Sequence, residues 1–350
     1  MLKSQMLEEA ILSDLRKNHY KKNDKLPSRN MLCTRFKCSR TTVEKAINAL
    51  KKRGVLFSSQ GAPTRVLDLS EHSSGEITDL YLIARGLEIY SHESIREMFL
   101  PGEEENIRLH TLGDDQILKQ LSRLCAPGSA LVWIMPKIRN LALMEHFRQK
   151  EIPQILINRS YGSFSSACTD TVESLREGLS YLMAEGGRRL ALVSRNPNME
   201  QPYLAERLLA FYENILSLKA DVAPDNLYIR DFSDIPKEMS ETGLQLFGGS
   251  KMVNGIVVLD SNLTLPLVTC GLIYGKHPGK DYFLLTFDKI NELCSYEGIA
   301  MMRQQDEKLF LATKQFIKDG YAARRQLFTF RIKTELIKFR KKTPSFQGRS

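Results

Sequence analysis

Residues 39–50 read Ser39-Arg40-Thr41-Thr42-Val43-Glu44-Lys45-Ala46-Ile47-Asn48-Ala49-Leu50, and this stretch decides what the first part of the chain can be. Val43, Ala46, Ile47 and Leu50 stand at i, i+3, i+4 and i+7, one face of an α-helix. Ser39 is a good N-cap, and Gly54 sits where a glycine closes a helix. Just upstream, Pro27-Ser28 precedes Leu32 and Phe36 at helical spacing, which predicts a second helix capped by Ser28. Only Lys37-Cys38-Ser39 separates the two, so the pair reads as a helix-turn-helix. Leu7, Ile11, Leu12 and Leu15 mark an amphipathic helix before it. After it, Val55-Leu56-Phe57 and Thr64-Arg65-Val66-Leu67 flank the Gly- and Pro-containing turn of residues 58–63, which predicts a hairpin, or wing.

In such a unit the N-terminal end of the second helix enters the major groove of double-stranded DNA. The residues so placed are Ser39, Arg40, Thr41, Thr42 and Lys45, with Ser28, Arg29 and Asn30 at the start of the preceding helix. Arginine forks to guanine or phosphate, and threonine offers a hydroxyl and a methyl to either backbone or base edges. Gln60, Gly61 and Arg65 would bring backbone and charge to the minor groove from the wing.

Charge distribution agrees. Residues 1–69 hold 15 Lys and Arg against 6 Asp and Glu, whereas residues 70–330 hold 28 against 34. A basic head on a mildly acidic body suits a head that meets a polyanion. The basic run in the last twenty residues, 7 against 1, reads as a solvated tail.

The head resembles the GntR-type winged-helix domain over about residues 4–68. The resemblance rests on Lys25-Leu26-Pro27-Ser28, Ser39-Arg40-Thr41-Thr42-Val43, Ala46-Ile47-Asn48-Ala49-Leu50, Gly54 and Gln60-Gly61. Asn30 stands where that family usually has an arginine, and Glu44 where it usually has a basic residue. The resemblance implies DNA binding without carrying over an operator sequence.

Beyond about residue 76 the pattern alternates. Apolar runs at 80–83, 130–134, 154–157, 190–193, 255–259 and 282–285 are predicted buried strands. Amphipathic stretches at 116–124, 141–149, 172–184 and 204–218 lie between them as helices. Such alternation means parallel sheets covered on both faces, and its length suits two sheets better than one. Ligands bind beyond the carboxyl ends of parallel strands. The polar residues there include Asn158-Arg159, Asp231-Phe232-Ser233, Asp260-Ser261-Asn262 and Asp288, with Arg207 near a helix start.

Residues 77–340 resemble the effector-binding core of LacI-type regulators, itself similar to periplasmic sugar-binding proteins. The motifs are Ile152–Arg159, Gly186–Val193, Glu206–Phe211, Leu285–Asp288, Arg303-Gln304-Gln305 and Ile332–Ile337. The resemblance implies that Arg159, Arg207, Phe232, Asp260 and Asp288 hold an effector. Their chemistry suits a polar small molecule such as a sugar. Arginine donates a fork of hydrogen bonds, carboxylates accept from hydroxyls, and Phe232 offers an apolar face to a ring. A GntR-type head on a LacI-type body resembles arabinose-repressor-like bacterial regulators, which work as homodimers.

The expectation is therefore an α/β protein with a winged helix-turn-helix at 1–69, a linker at 70–76, a two-lobed periplasmic-binding-protein-like domain at 77–342, and a tail at 343–350. It is expected to be a cytoplasmic DNA-binding transcriptional regulator and repressor controlled by a sugar effector. The alternative is a cytoplasmic sugar-sensing protein whose body is mainly a dimerisation scaffold. No enzyme is expected. The six histidines are dispersed and none lies in a metal-ligand or nucleophile motif, so no catalytic residue, metal or cofactor is assigned. The six cysteines are scattered through a long chain and are expected to be reduced. No apolar run suits a membrane span, and the acidic start does not read as a secretory signal.

Overall fold

The computed structural model describes residues 3–18, 20–52, 55–58, 63–66, 77–84, 91–100, 106–248, 253–324 and 326–339. Gly54, Gln60, Gly61, the 70–76 linker and the 343–350 tail lie outside the described residues. The chain divides into two compact units, a head up to Ile77 and a body from Thr78.

In the head, α1 (Lys3–Lys17), α2 (Arg29–Phe36) and α3 (Arg40–Lys52) are followed by β1 (Leu56–Phe57) and β2 (Arg65–Val66). The two strands pair antiparallel, Leu56 opposite Val66. One core joins all five elements. Ile11 and Leu15 of α1, Leu32 of α2, Ile47 and Leu50 of α3, and Val66 of β2 are buried together. The i, i+3, i+4, i+7 face of α3 is wholly buried. Truncating one such side chain, as in Ile47→Ala, costs about 2–5 kcal/mol. Ser28 Oγ caps α2 by accepting from the Met31 N–H at 3.3 Å. The turn into α3 is made by Lys37 in the left-handed region (φ 49°), its N–H bonded to the Cys33 carbonyl. A side chain held there costs about 1–2 kcal/mol, which the packing of α2 against α3 offsets.

The body contains two six-stranded sheets. The first has β4 (Arg108–Leu112), β3 (Asp79–Ile83), β5 (Ser129–Ile134), β6 (Gln154–Ile157), β7 (Ser165–Thr169) and β13 (Thr329–Ile332) in that spatial order. All of its pairings are parallel. The second has β9 (Leu227–Arg230), β8 (Leu190–Arg195), β10 (Gly255–Val258), β11 (Phe283–Phe287), β12 (Ile299–Arg303) and β14 (Glu335–Ile337). Only β14 runs antiparallel to its neighbour. The six apolar runs named from the sequence are all strands, and their side chains are almost all buried, because helices cover both faces. The stretch at 116–124 is less regular than expected: a 3-10 turn, Ile117–Gln120, runs into a single helical turn, α5 (Leu121–Leu124).

The remaining body helices are α4 (His92–Phe99), α6 (Leu141–Gln149), α7 (Thr171–Ala184), α8 (Tyr203–Leu218), α9 (Ile235–Phe247), α10 (Thr264–Ile273), α11 (Asp306–Lys318) and α12 (Tyr321–Arg324). The second sheet separates two apolar clusters, one shared with α9 and α10 and one with α7 and α8. Gly178, inside α7, allows close approach: a Cβ there would come within 2.9 Å of Leu285 and Met302. The chain passes between the sheets three times, after β7, after β12 and between β13 and β14. These passages are tied together. Asp170 N–H donates to the Ile332 carbonyl (2.8 Å), Thr334 N–H to Ser174 Oγ (2.9 Å) and Gln305 Nε2 to the Lys333 carbonyl (2.7 Å). Among the described residues no helix is long and apolar enough to cross a membrane.

Candidate nucleic-acid interface and ligand cleft

The N-terminal turn of α3 carries two kinds of residue. Ser39 Oγ accepts from Thr42 N–H (3.2 Å) and shares a hydrogen bond with Thr42 Oγ1 (2.8 Å), so these two close the helix end. Arg40, Thr41 and Lys45 are exposed, and none has a hydrogen bond or ion pair among the described residues. Their donors project beside the positive end of the α3 dipole, an arrangement suited to phosphate. Asn30 is also exposed, with its carbonyl accepting from Thr34 Oγ1 at 3.1 Å.

Arg29 and Arg65 are engaged within the head. Arg29 Nε donates to Glu44 Oε1 (3.1 Å) and its Nη1 to Thr64 Oγ1 (3.0 Å), joining α2, α3 and the wing. Glu44, the acidic residue at a usually basic position, is thus the partner of Arg29. Arg65 Nη1 donates to the Asn23 carbonyl at 2.7 Å, which leaves its other donors for solvent or backbone phosphate.

In the body, the carboxyl ends of the two sheets face each other. Four pairs of side chains span the gap. Asn158, after β6, donates to Gln304 Oε1 (2.7 Å), and Thr169, ending β7, donates to the same oxygen (3.1 Å). Lys137, after β5, pairs with Glu200, after β8. Arg159 lies over the ring of Tyr203, the first residue of α8, at 4.9 Å.

Arg207 lies over the same ring at 4.8 Å, so Tyr203 contacts one guanidinium from each lobe. Arg207 is buried against Phe287, 3.8 Å from the ring centroid, and its Nη1 donates to the Leu259 carbonyl at 2.7 Å. Its Nη2 reaches Asp288 Oδ2 at 3.3 Å. The other Asp288 oxygen accepts from Gln304 Nε2 at 2.5 Å. Asp260 is buried, with its carboxylate accepting from Arg195 Nε (3.0 Å), Asn262 N–H (3.2 Å) and Asn262 Nδ2 (3.0 Å). Burial pulls the Arg159 guanidinium below its ordinary pKa and pushes the Tyr203 phenol above its own.

Backbone conformation marks the same rim. Met135, Asn158, Phe232 and Asp288 have φ of 46°, 56°, 48° and 69°, each within two residues of a strand's carboxyl end. Asn158 and Asp288 each place their N–H in the ladder, to Ala167 O and Met302 O, and then turn the chain sharply. Left-handed residues of this kind concentrate where geometry serves a site.

Four of the five body residues named from the sequence, Arg159, Arg207, Asp260 and Asp288, lie at this cleft. Phe232 differs: its ring is buried in the apolar cluster beneath α9 and α10, and its N–H donates to Glu238 Oε2 at 3.0 Å. Tyr203, Gln304, Thr169 and the Lys137–Glu200 pair were not singled out. Gln304 sits in a named motif beside Arg303, and its position after an unrecognised strand was the signal available.

The gntR family of bacterial regulatory proteins matches residues 3–66. Over 60 residues the chain is 43% identical to the uncharacterized HTH-type transcriptional regulator YurK of Bacillus subtilis, spanning 17% of this chain and 25% of that protein. The chain thus covers about a quarter of the length of that curated relative. Among solved structures, a regulatory protein of the LacI family from Chloroflexus aggregans is similar with a TM-score of 0.58 at 15% identity, covering 75% of this chain and 98% of that one. A LacI family transcriptional regulator from Bifidobacterium animalis subsp. lactis gives 0.58 at 14%, covering 75% and 97%. The transcriptional regulator CelR in complex with cellobiose gives 0.58 at 12%, covering 89% and 98%. The head is a helix-turn-helix domain of the gntR type. The body has the two-lobed fold of LacI-family regulators.

Proposed function

We propose that the protein is a sequence-specific transcriptional regulator, a repressor whose operator affinity is set by a small polar effector in the body cleft. The head reads duplex DNA with Arg40, Thr41 and Lys45, assisted by Asn30 and Arg65, while Ser28, Arg29, Ser39 and Thr42 hold the reading helix in place. The effector, a sugar, is received by Arg159, Arg207, Asp260 and Asp288. Its binding shifts the lobes between arrangements that differ in operator affinity. The molecule acts in the cytoplasm as a homodimer, because two half-sites multiply specificity, and it performs no chemistry on its ligand.

The observation that carries this reading is the unpartnered, exposed row of Arg40, Thr41 and Lys45 on a strongly basic head. Selection of binding sites from a random duplex library by the full chain tests it. Enrichment of a two-fold symmetric sequence is expected; recovery of unenriched DNA with only salt-sensitive binding would defeat sequence reading. One feature favours a second reading, in which the body only dimerises: Tyr203 and the cross-lobe pairs already bridge the cleft. Tm measured against a sugar panel separates the two, since a ligand at 100 times its Kd stabilises by about 2.7 kcal/mol.

A further inference from the structure

Arg159, Arg195 and Arg207 lie at this cleft, and their partners differ. Arg195 is paired with Asp260 at 3.0 Å and Arg207 with Asp288 at 3.3 Å. Arg159 has no carboxylate within ion-pair distance among the described residues. Its Nη1 donates to the carbonyl of its own neighbour, Asn158, at 2.5 Å, and its side chain also hydrogen-bonds the Tyr161 phenol. The rest of the guanidinium lies against the Tyr203 ring, with the second cation, Arg207, on that same ring. Glu206, exposed on α8, attracts Arg159 through space without forming an ion pair with it.

A desolvated guanidinium whose hydrogen bonds go only to neutral oxygens is costly unless something with negative charge completes it. Neutral sugar hydroxyls do not neutralise it. A carboxylate or phosphate oxyanion does, and the planar fork of an arginine matches either in bidentate geometry. The α8 N-terminus beside Tyr203 adds its partial positive charge to the same place. The other two arginines already have acidic partners, so the surplus positive charge is localised at Arg159.

Building on the reading of this cleft as the effector site, we propose that the effector is an anionic sugar derivative, a sugar acid or sugar phosphate, whose oxyanion is received by Arg159. The anion takes the guanidinium edge now bonded to the Asn158 carbonyl, and Tyr203 gives way to the sugar ring. Asp260 and Asp288, whose carboxylates are already neutralised, accept from the hydroxyls at the other end. Arg159 then decides between charged and neutral members of one sugar series.

The test is calorimetric titration of the full chain with ribose, glucose and galactose, each as the neutral sugar, the sugar acid and the terminal phosphate ester. The expected result is that one anionic form binds at least about tenfold tighter than its neutral parent. The carboxylate and phosphate arms identify which oxyanion is used. Arg159→Gln should shrink that advantage to below about threefold. Arg159→Lys, which keeps the charge, should retain most of the preference. An unchanged Tm for Arg159→Gln separates loss of charge from loss of fold. Neutral sugars binding as tightly as their anionic forms, or an anion preference that survives Arg159→Gln, would overturn the proposal while leaving the sugar cleft intact. Absence of binding by every form at about 10 mM, weaker than the millimolar range, would overturn the proposal and the sugar-site reading together.

Discussion

The tip of α3 and the cleft of the body both gather cations, yet they hold them in opposite ways. On α3, Arg40 and Lys45 stand in solvent without a partner among the described residues. In the cleft, Arg195 and Arg207 are tied to carboxylates, Tyr203 fills the space between two guanidiniums, and Gln304 joins the lobes. A surface prepared for a polyanion need break nothing before it binds. On the proposed function, a cleft already stitched together must exchange internal bonds for ligand bonds, and that exchange would let ligand binding move the lobes. The first arrangement favours rapid, salt-sensitive association; the second favours coupling.

Removing one group from the cleft should break its side of the contrast most severely. Asp288→Ala deletes the carboxylate held between Arg207 and Gln304. Its expected effect is loss of the whole effector response, typically about 5–150-fold in operator affinity, with DNA binding in the absence of effector preserved. A gel-shift titration with and without ligand decides it, and a normal response would move the site elsewhere.

On the head, Arg40→Ala should weaken operator binding by about 1–3 kcal/mol without changing Tm, since Arg40 supports nothing in the fold. Unchanged affinity in the same titration would remove Arg40 from the interface. Next in size comes Gln304→Ala, which abolishes the bonds from Asn158 and Thr169 and the donation to Asp288. It should lower body stability by about 1–3 kcal/mol, read as a fall in the midpoint of urea unfolding.

Glu44→Gln sharpens the comparison by making the head still less internally paired. It removes a negative charge and frees Arg29 from its ion pair. DNA affinity should rise a few-fold, and the salt dependence should steepen by about one phosphate equivalent.

The smallest effect concerns a cluster away from both sites. Arg108 and His110 donate to Asp79, and the Arg108 bond holds the Asp79 carboxyl well below the usual range. Because the folded pKa is depressed, this stabilisation is complete above the unfolded value near 3.9 and disappears as pH falls through the folded one. With Arg108 largely exposed, Asp79→Asn should cost about 1 kcal/mol or less at pH 7. Thermal melts of the two proteins should converge at strongly acidic pH; a gap that stays constant would rule out this ion pair as its source.

The two regions also differ in how far they were legible in the sequence. The head is local: caps, spacing and turn residues sit within one short segment, so Ser28, Ser39 and the buried face of α3 fell where expected. Six body strands were legible because a strand buried on both faces is an uninterrupted apolar run. The others were masked by composition. Ser165-Ser166-Ala167-Cys168-Thr169 is wholly buried yet small and polar, and the edge strand Arg108-Leu109-His110-Thr111-Leu112 has only two apolar residues, three apart. Asp260 and Asp288 stood out in the sequence because strand ends are a local feature. Tyr203 on Arg159, and Gln304 between Asn158 and Asp288, exist only through contact across two lobes, over separations such as 146 residues. No local pattern encodes that.

The threefold passage of the chain between the sheets has a consequence for synthesis on the ribosome. All elements of the head lie within the first 66 residues, so it can fold early. The first sheet cannot be completed until β13, residues 329–332, has been made, although its other strands are finished by residue 169. The second waits for β14, at residues 335–337. Premature termination between β12 and β13 therefore leaves both lobes with an incomplete sheet edge, prone to aggregate, behind a head already able to fold. On the proposed function, such fragments would be DNA binders without a sensor.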